Sequence, residues 1–307
     1  LHSPPNLFRI NQYEFNPTQP NPTQSLSQEL GKKIAEKLRD NQEKLKAEWN
    51  KDEPFRYFFL DNILDEDFVL QITQNLPQLD TLLLRSSLRE RKRVGVDFFN
   101  QHPSLQSSLY AFQEPEVIKE ISQITGLKDL EGDPSLYASG ISVMGQGDFL
   151  NPHIDNSHDG EQKVYRVLNL LFYVSSDWTS ERGGNFEVWD WPRKKRTEIV
   201  SKFNRLVVME THDYSWHSVN QVKSDHLRCC VSNYFFSPNP TRGDKQYRHV
   251  TTFGGRPEQP LNQRLVLKVD GLARNLIGKI FPSLLKNHKH RIQKQTSEPS
   301  HSETNPL

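Results

Sequence analysis

The chain has 307 residues, 34% of them apolar and 25% charged, with a formal net charge of +1. That length suits one large domain with appendages better than two independent ones. No run of about 18 apolar residues is present to make a transmembrane helix, and two cysteines make neither a disulfide framework nor a zinc set.

Residues 1–24 are rich in Pro, Asn and Gln, which predicts a disordered arm, and no charged n-region with an apolar core marks a signal peptide. Leu26 to Trp49 reads as a helix. Leu26, Leu30, Ile34 and Leu38 recur every four residues, Leu45 and Trp49 continue the stripe, and Lys and Glu fill the other face. Ser25 and Gln28 have the spacing of a capping box at its start. Phe55 to Leu60 reads as a strand. Asp65-Glu66-Asp67 then places acids in the first turn of a second helix through Gln74, where the helix dipole favours them, and Pro77 ends it.

Val164 to Val174 is almost continuously apolar, β-branched and aromatic, so it predicts a buried strand. Gly183-Gly184-Asn185 is a turn. Short strands follow at Phe186 to Trp189, Asn204 to Glu210 and Trp216 to Val219, and a last one opens at Arg228. Strands at this spacing with Gly, Asp and Asn turns predict a mostly β fold of sandwich or jelly-roll type with supporting helices.

Beyond Pro240 the charge changes sign. Residues 241–307 hold 12 Lys and Arg against 5 Asp and Glu, a net +7, whereas the preceding 240 hold 27 against 33, a net −6. Leu265, Val269, Leu272, Leu276 and Ile280 form a helical stripe beside Arg264, Lys268, Arg274 and Lys279. A basic amphipathic helix can lie on anionic lipid or on a partner. The favoured expectation is that the stripe packs on the outside of the β core. Residues 289–307 read as a polar disordered tail, and no nucleic-acid motif accompanies the basic residues. The predicted organisation is an arm over 1–24, a catalytic domain over 25–240 with its β core at about 135–240, a basic extension over 241–288 and the tail.

The chemistry lies between His153 and Arg228. His153 and Asp155 sit where a strand leaves into the polar loop Asn156-Ser157-His158-Asp159-Gly160. Residues i and i+2 of a strand share a face, so both side chains can meet one ion. His217 supplies a second imidazole. Two His and one carboxylate on one face leave positions open for a co-substrate and O2, the non-heme Fe(II) arrangement. Arg228 can pair bidentately with the far carboxylate of a dicarboxylate such as 2-oxoglutarate. A lone His-x-Asp is a weak signal, readable as a turn at a strand end. His212 competes with His217, but its odd separation turns it to the opposite face, so His212, His158 and His226 read as loop histidines. Arg166 reads as a structural cation or as a second functional one. Cys229-Cys230 are adjacent in a strand, face opposite sides and are expected to stay unbridged, which fits a reducing, cytoplasmic compartment.

The ordered set His153-Ile154-Asp155-Asn156, Arg166 to Tyr173, Asp177-Trp178, Gly183-Gly184, Lys202 to Leu206, His217 and Arg228 resembles the prolyl-4-hydroxylase-like branch of the 2-oxoglutarate and Fe(II)-dependent oxygenases over roughly residues 55–240. The resemblance implies a double-stranded β-helix (jelly-roll) core with N-terminal helices and a C-terminal helical extension. His153, Asp155 and His217 would bind Fe(II), Arg228 would hold the 5-carboxylate of 2-oxoglutarate, and Tyr173 and Asn169 would line the same pocket. O2 is the implied second co-substrate and ascorbate a candidate auxiliary reductant. The implied activity is hydroxylation of an aliphatic C–H of a peptidyl residue, prolyl among the candidates, or of a small biosynthetic intermediate. Where the family usually places a tyrosine upstream of the first ligand, this chain has Ser142-Val143-Met144-Gly145. Two other classes are weighed: a non-catalytic jelly-roll binding module with a vestigial metal site, and a zinc-dependent hydrolase on the same triad, which lacks an evident general base and leaves Arg228 unexplained.

Overall fold

The computed structural model describes residues 22–95, 101–133, 136–243 and 247–280. The expected arm through residue 21, the tail from 289 and Ile280's place in the stripe lie outside what is described. The long N-terminal helix is two: α1 (Pro22–Asp40) and α2 (Gln42–Trp49). Asn41 interrupts them, its side-chain amide donating to the Lys37 carbonyl at 2.9 Å. Leu30, Ile34, Leu38, Leu45 and Trp49 are buried as the four-residue spacing requires, and Trp49 meets Phe58 edge to face with ring centroids 6.1 Å apart. The predicted capping box does not form, because α1 begins at Pro22 and Ser25 falls inside its first turn. Strand β1 (Tyr57–Asp61) and helix α3 (Glu66–Gln74) follow as predicted, with Asp65 at the helix N-cap.

Four elements between residues 79 and 130 were not foreseen. Strands β2 (Leu83–Ser86) and β3 (Glu90–Val94) form a hairpin, and helices α4 (Pro103–Ala111) and α5 (Pro115–Thr125) each start with proline in the first turn. That position tolerates proline because its missing N–H would be unpaired there anyway. Gly126, with φ +71°, closes α5.

The β core is built from β4 (Gly140–Met144), β5 (Phe149–Ile154), β6 (Tyr165–Tyr173), β7 (Phe186–Trp189), β8 (Arg196–Ile199), β9 (Arg205–Glu210), β10 (His217–Val219) and β11 (Arg228–Ser237). All pairings are antiparallel, and they give the order β4-β11-β6-β9 in one sheet and β5-β10-β7-β8 in the other. The chain switches sheets as it advances and its last strand returns beside its first, which is a double-stranded β-helix. β1 extends the first sheet beyond β9. β3 joins the two sheets, pairing Arg93 with Val143 of β4 and Arg91 with Phe149 of β5.

The continuous apolar run of β6 follows from burial on both faces. Leu168, Leu170 and Phe172 point outward into a core shared with α1 to α5, whereas Leu171 and Tyr173 point inward among Phe186, Val188, Met209 and Cys230. Beyond residue 240, strand β12 (Thr252–Phe253) adds to β5, and α6 (Leu261–Ile280) packs next to it. The stripe expected to bury on the β core does not: Leu265, Val269, Leu272 and Leu276 are 56–64% exposed. The helix docks through Leu267, which is buried, and Gly271, where a Cβ would lie 2.9 Å from Thr252. Among the described residues no helix is long and apolar enough to cross a membrane.

Candidate metal and co-substrate site

His153 is the penultimate residue of β5 and His217 begins β10, and the two strands pair with His217 opposite His153. The ladder therefore brings two residues 64 positions apart to one rung, with ring centroids 4.1 Å apart. Asp155, two residues after His153, falls on the same side. Its carboxylate lies 3.7 Å from His153 Nε2 and 3.8 Å from His217 Nε2, and all three side chains are buried.

The imidazoles are fixed from behind. His153 donates from Nδ1 to the Asn151 carbonyl at 3.0 Å, and His217 from Nδ1 to the Ser215 carbonyl at 2.9 Å. Each bond selects the tautomer whose Nε2 keeps a free lone pair directed at the centre of the triad, as a metal-binding histidine requires. Burial, with His217 beside it, pushes His153 down to about 3, and burial lowers His217 as well. Both rings are thus neutral donors. Burial alone would raise Asp155, but His217, Arg166 and His153 hold it below the usual carboxylate range. The three donor atoms lie within 4.8 Å of one another. Two neutral imidazoles and one ionised carboxylate on one face fit Fe(II) with open positions.

The triad opens into a cavity of about 670 Å³, which Arg228 also lines, a volume typical of small-molecule sites. Arg228 is buried and points inward from β11, the opposite sheet. Its Nε donates to the Gly184 carbonyl at 2.6 Å and to Ser201 Oγ at 3.2 Å, and its guanidinium stacks 4.9 Å from the Tyr173 ring centroid. Among the described residues it has no carboxylate partner, so one edge of the fork remains for a ligand. Gly184 makes this possible: its φ is +64°, and a Cβ there would press on Val222 and on the Arg228 side chain.

Asn169 lines the cavity, whereas Tyr173 is set behind Arg228. Tyr173 is fully buried behind Arg228, its hydroxyl beside Ser201 and the guanidinium without a hydrogen bond of full geometry. Asn169 sits at the metal end, where its amide donates to Asp155 Oδ2 at 3.3 Å and to the Tyr234 hydroxyl at 3.4 Å. It orients the Asp155 carboxylate. Arg166, read as a structural cation or a second functional one, is buried in the cavity wall, 4.0 Å from Asp155 and 4.3 Å over the Tyr234 ring.

Of the three histidines read as loop residues, His226 is exposed and fits that reading. His212 and His158 are buried instead. His212 pairs with Glu210 at 3.3 Å and accepts from the Tyr214 amide, while His158 Nδ1 meets Ser157 Oγ at 2.8 Å and its ring tilts against Tyr165. Cys229 and Cys230 are free and buried, as expected from their adjacency. Sequence reasoning missed Lys92, Glu90 and Arg85 on the β2–β3 hairpin, and Tyr234, His249 and Phe253, all of which line the cavity. Phe253 stacks on His153 with ring centroids 5.2 Å apart. Only Tyr234 carried a signal, since it lies an even number of residues from Arg228 along one strand and so shares its face.

Residues 139–236 match the model of the 2OG-Fe(II) oxygenase superfamily. The mouse protein named prolyl 3-hydroxylase OGFOD1 is 27% identical over 173 residues, which make up 50% of this chain and 30% of that one. The chain therefore spans less than a third of the length of this curated relative. Among solved structures, a Pseudomonas putida prolyl-4-hydroxylase is 17% identical with a TM-score of 0.47, covering 63% of this chain and 98% of its own. A Trichoplax adhaerens prolyl hydroxylase, solved in complex with a hypoxia inducible factor peptide fragment, is 17% identical with a TM-score of 0.45, covering 72% and 94%.

Proposed function

We propose that this chain is a member of the 2OG-Fe(II) oxygenase superfamily and acts as a 2-oxoglutarate-dependent dioxygenase that hydroxylates an aliphatic C–H bond. The observation that carries the reading is the pairing of His217 with His153 across one ladder, with Asp155 on the same side and, in the same cavity, Arg228 without a carboxylate partner among the described residues. His153, Asp155 and His217 are the iron ligands in this reading, and Arg228 holds the distal carboxylate of 2-oxoglutarate. Bound Fe(II), with 2-oxoglutarate and O2, supplies the oxidising chemistry, and 2-oxoglutarate leaves as succinate and CO2. The chain's own residues hold, orient and desolvate. Asn151 and Ser215 carbonyls fix the two imidazole tautomers, Asn169 turns the carboxylate, and Phe253 covers His153. Tyr173, fully buried, backs the guanidinium.

The substrate we infer is a peptidyl residue, with proline first among the candidates, supported by the name of the mouse relative. A small biosynthetic intermediate is the second reading. A cytoplasmic location accompanies the proposal, supported by two free buried thiols. The test is succinate formation by the Fe(II)-loaded chain, screened over prolyl peptides and small metabolites, with Asp155→Ala as control. Succinate made by Asp155→Ala at the parental rate would refute the ligand assignment.

A further inference from the structure

Helix α6 presents its apolar side chains to solvent. Leu261 is 77% exposed, Leu265 61%, Leu272 64% and Leu276 59%, while Leu267 on the opposite side is 2% exposed against the domain. Over Arg264 to Leu276, at 3.6 residues per turn, the side chains met between Lys268 and Val266 are Leu272, Leu265, Leu276, Val269 and Ala273, an unbroken apolar arc, and in the first turn of the helix Leu261 and the polar Asn262 fall on the same side. Lys268 is exposed on its border, and Arg264 follows it. The helix is not loosely attached. Arg89 donates from Nε to Asp270 at 2.9 Å, a second bond joins the same two groups, and Gly271 lets the helix backbone close on Thr252.

The charge around this arc has one sign. From residue 261 to 297 the sequence holds eight Lys and Arg and a single acid, Asp270. That acid is neutralised on the docked side by Arg89, so the exposed side carries no negative charge. Directly after α6 the chain continues with Phe281, Leu284 and Leu285, then Lys286, Lys289, Arg291 and Lys294 before its next acid at Glu298. An aliphatic arc bordered on one side by cations on a 20-residue helix fits a helix lying in a membrane interface, and the basic run that follows adds attraction to anionic lipid.

We propose that α6 seats the protein on an anionic membrane surface, with the Leu265–Leu272–Leu276 arc in the interface and Lys268 at the headgroups. This inference is independent of the proposed activity. Because α6 is pinned to the β2–β3 hairpin, whose Arg89 lines the cavity as Arg274 of α6 does, the seated enzyme would hold its cavity at a fixed attitude to the lipid.

The test is flotation of the full chain with phosphatidylcholine vesicles, with and without phosphatidylglycerol. The expected result is binding only where phosphatidylglycerol is present. Leu265→Asp/Leu272→Asp should reduce it by about tenfold or more, and Lys268→Glu should weaken it, with melting temperatures unchanged. Equal behaviour toward both vesicle types, or binding that survives the double substitution, overturns the proposal. So does a parental chain that is dimeric until the double substitution makes it monomeric, which would mark the arc as a self-interface. A fall in melting temperature for the double variant also overturns it, because the arc would then be covered by another part of the chain.

Discussion

Replacing Arg228 by alanine separates the two halves of the site. The guanidinium is buried, it has no carboxylate partner among the described residues, and its fork faces the cavity that the triad shares. Removing one partner of a buried, hydrogen-bonded charge pair costs roughly 2–5 kcal/mol. At 1.36 kcal/mol per decade this is a rise of about 30-fold to several thousand-fold in the KM for 2-oxoglutarate. The fold should tolerate the change, since Ser201 Oγ also donates to the Gly184 carbonyl, at 2.8 Å, and leaves it satisfied. The metal ligands are untouched because they belong to the other sheet. Arg228→Lys keeps the charge but loses the fork and the stacking on Tyr173, so its KM should fall between the two. The assay is succinate formation across 2-oxoglutarate concentrations, with Co(II) binding to the same variants followed anaerobically by absorbance. An unchanged KM in Arg228→Ala, or loss of Co(II) binding alongside a raised KM, would refute the division of labour between the sheets.

Two further outcomes concern stability. Leu267→Asp buries an unpaired charge under α6 and should lower the melting temperature by several degrees, whereas Leu272→Asp, at a position 64% exposed, should leave it within the scatter of surface substitutions, about ±0.5 kcal/mol; thermal denaturation of both variants decides it, and equal losses would place the wrong face of the helix inside. Burial alone would lower His212, but Asp213 and Glu210 raise it above its ordinary 6.5. A group raised in the folded state contributes fully below its unfolded value and loses that contribution as pH rises through the folded one. His212→Gln should therefore flatten the decline in melting temperature as pH rises above 6.5; parallel profiles for parent and variant would show the pair to be uncoupled from stability.

The triad was legible because strand periodicity is rigid. His153 and Asp155 share a face by being two apart, and the approach of His217 needed only antiparallel pairing of β10 with β5. Strands β6 and β11 were equally legible, since β6 is apolar on both faces and β11 opens on Arg228. Periodicity says that a helix has an apolar face but not which face packs. In α6 the packed side is chosen by Gly271, which permits close approach to β12, and by the ion pair of Asp270 with Arg89, a residue 181 positions away. Neither appears in a helical wheel. The parity argument set His212 aside correctly but for an incomplete reason. His212 lies in a turn, its amide donating to Ser215 Oγ at 3.0 Å, and its ring is drawn off by Glu210. Lys92 and Glu90 escaped notice because a polar hairpin such as β2–β3 has no apolar alternation to announce it.

The placement of the triad on β5 and β10 and of Arg228 on β11 makes the core a ruler. Packed sheets stand about 10 Å apart, and that spacing, set by Leu171, Met144 and Phe186 between them, fixes the span from the ligand cluster to the guanidinium. If the site holds a diacid as proposed, its carbon count would be set by these apolar side chains, and repacking them would recalibrate the choice of co-substrate without altering one charged group.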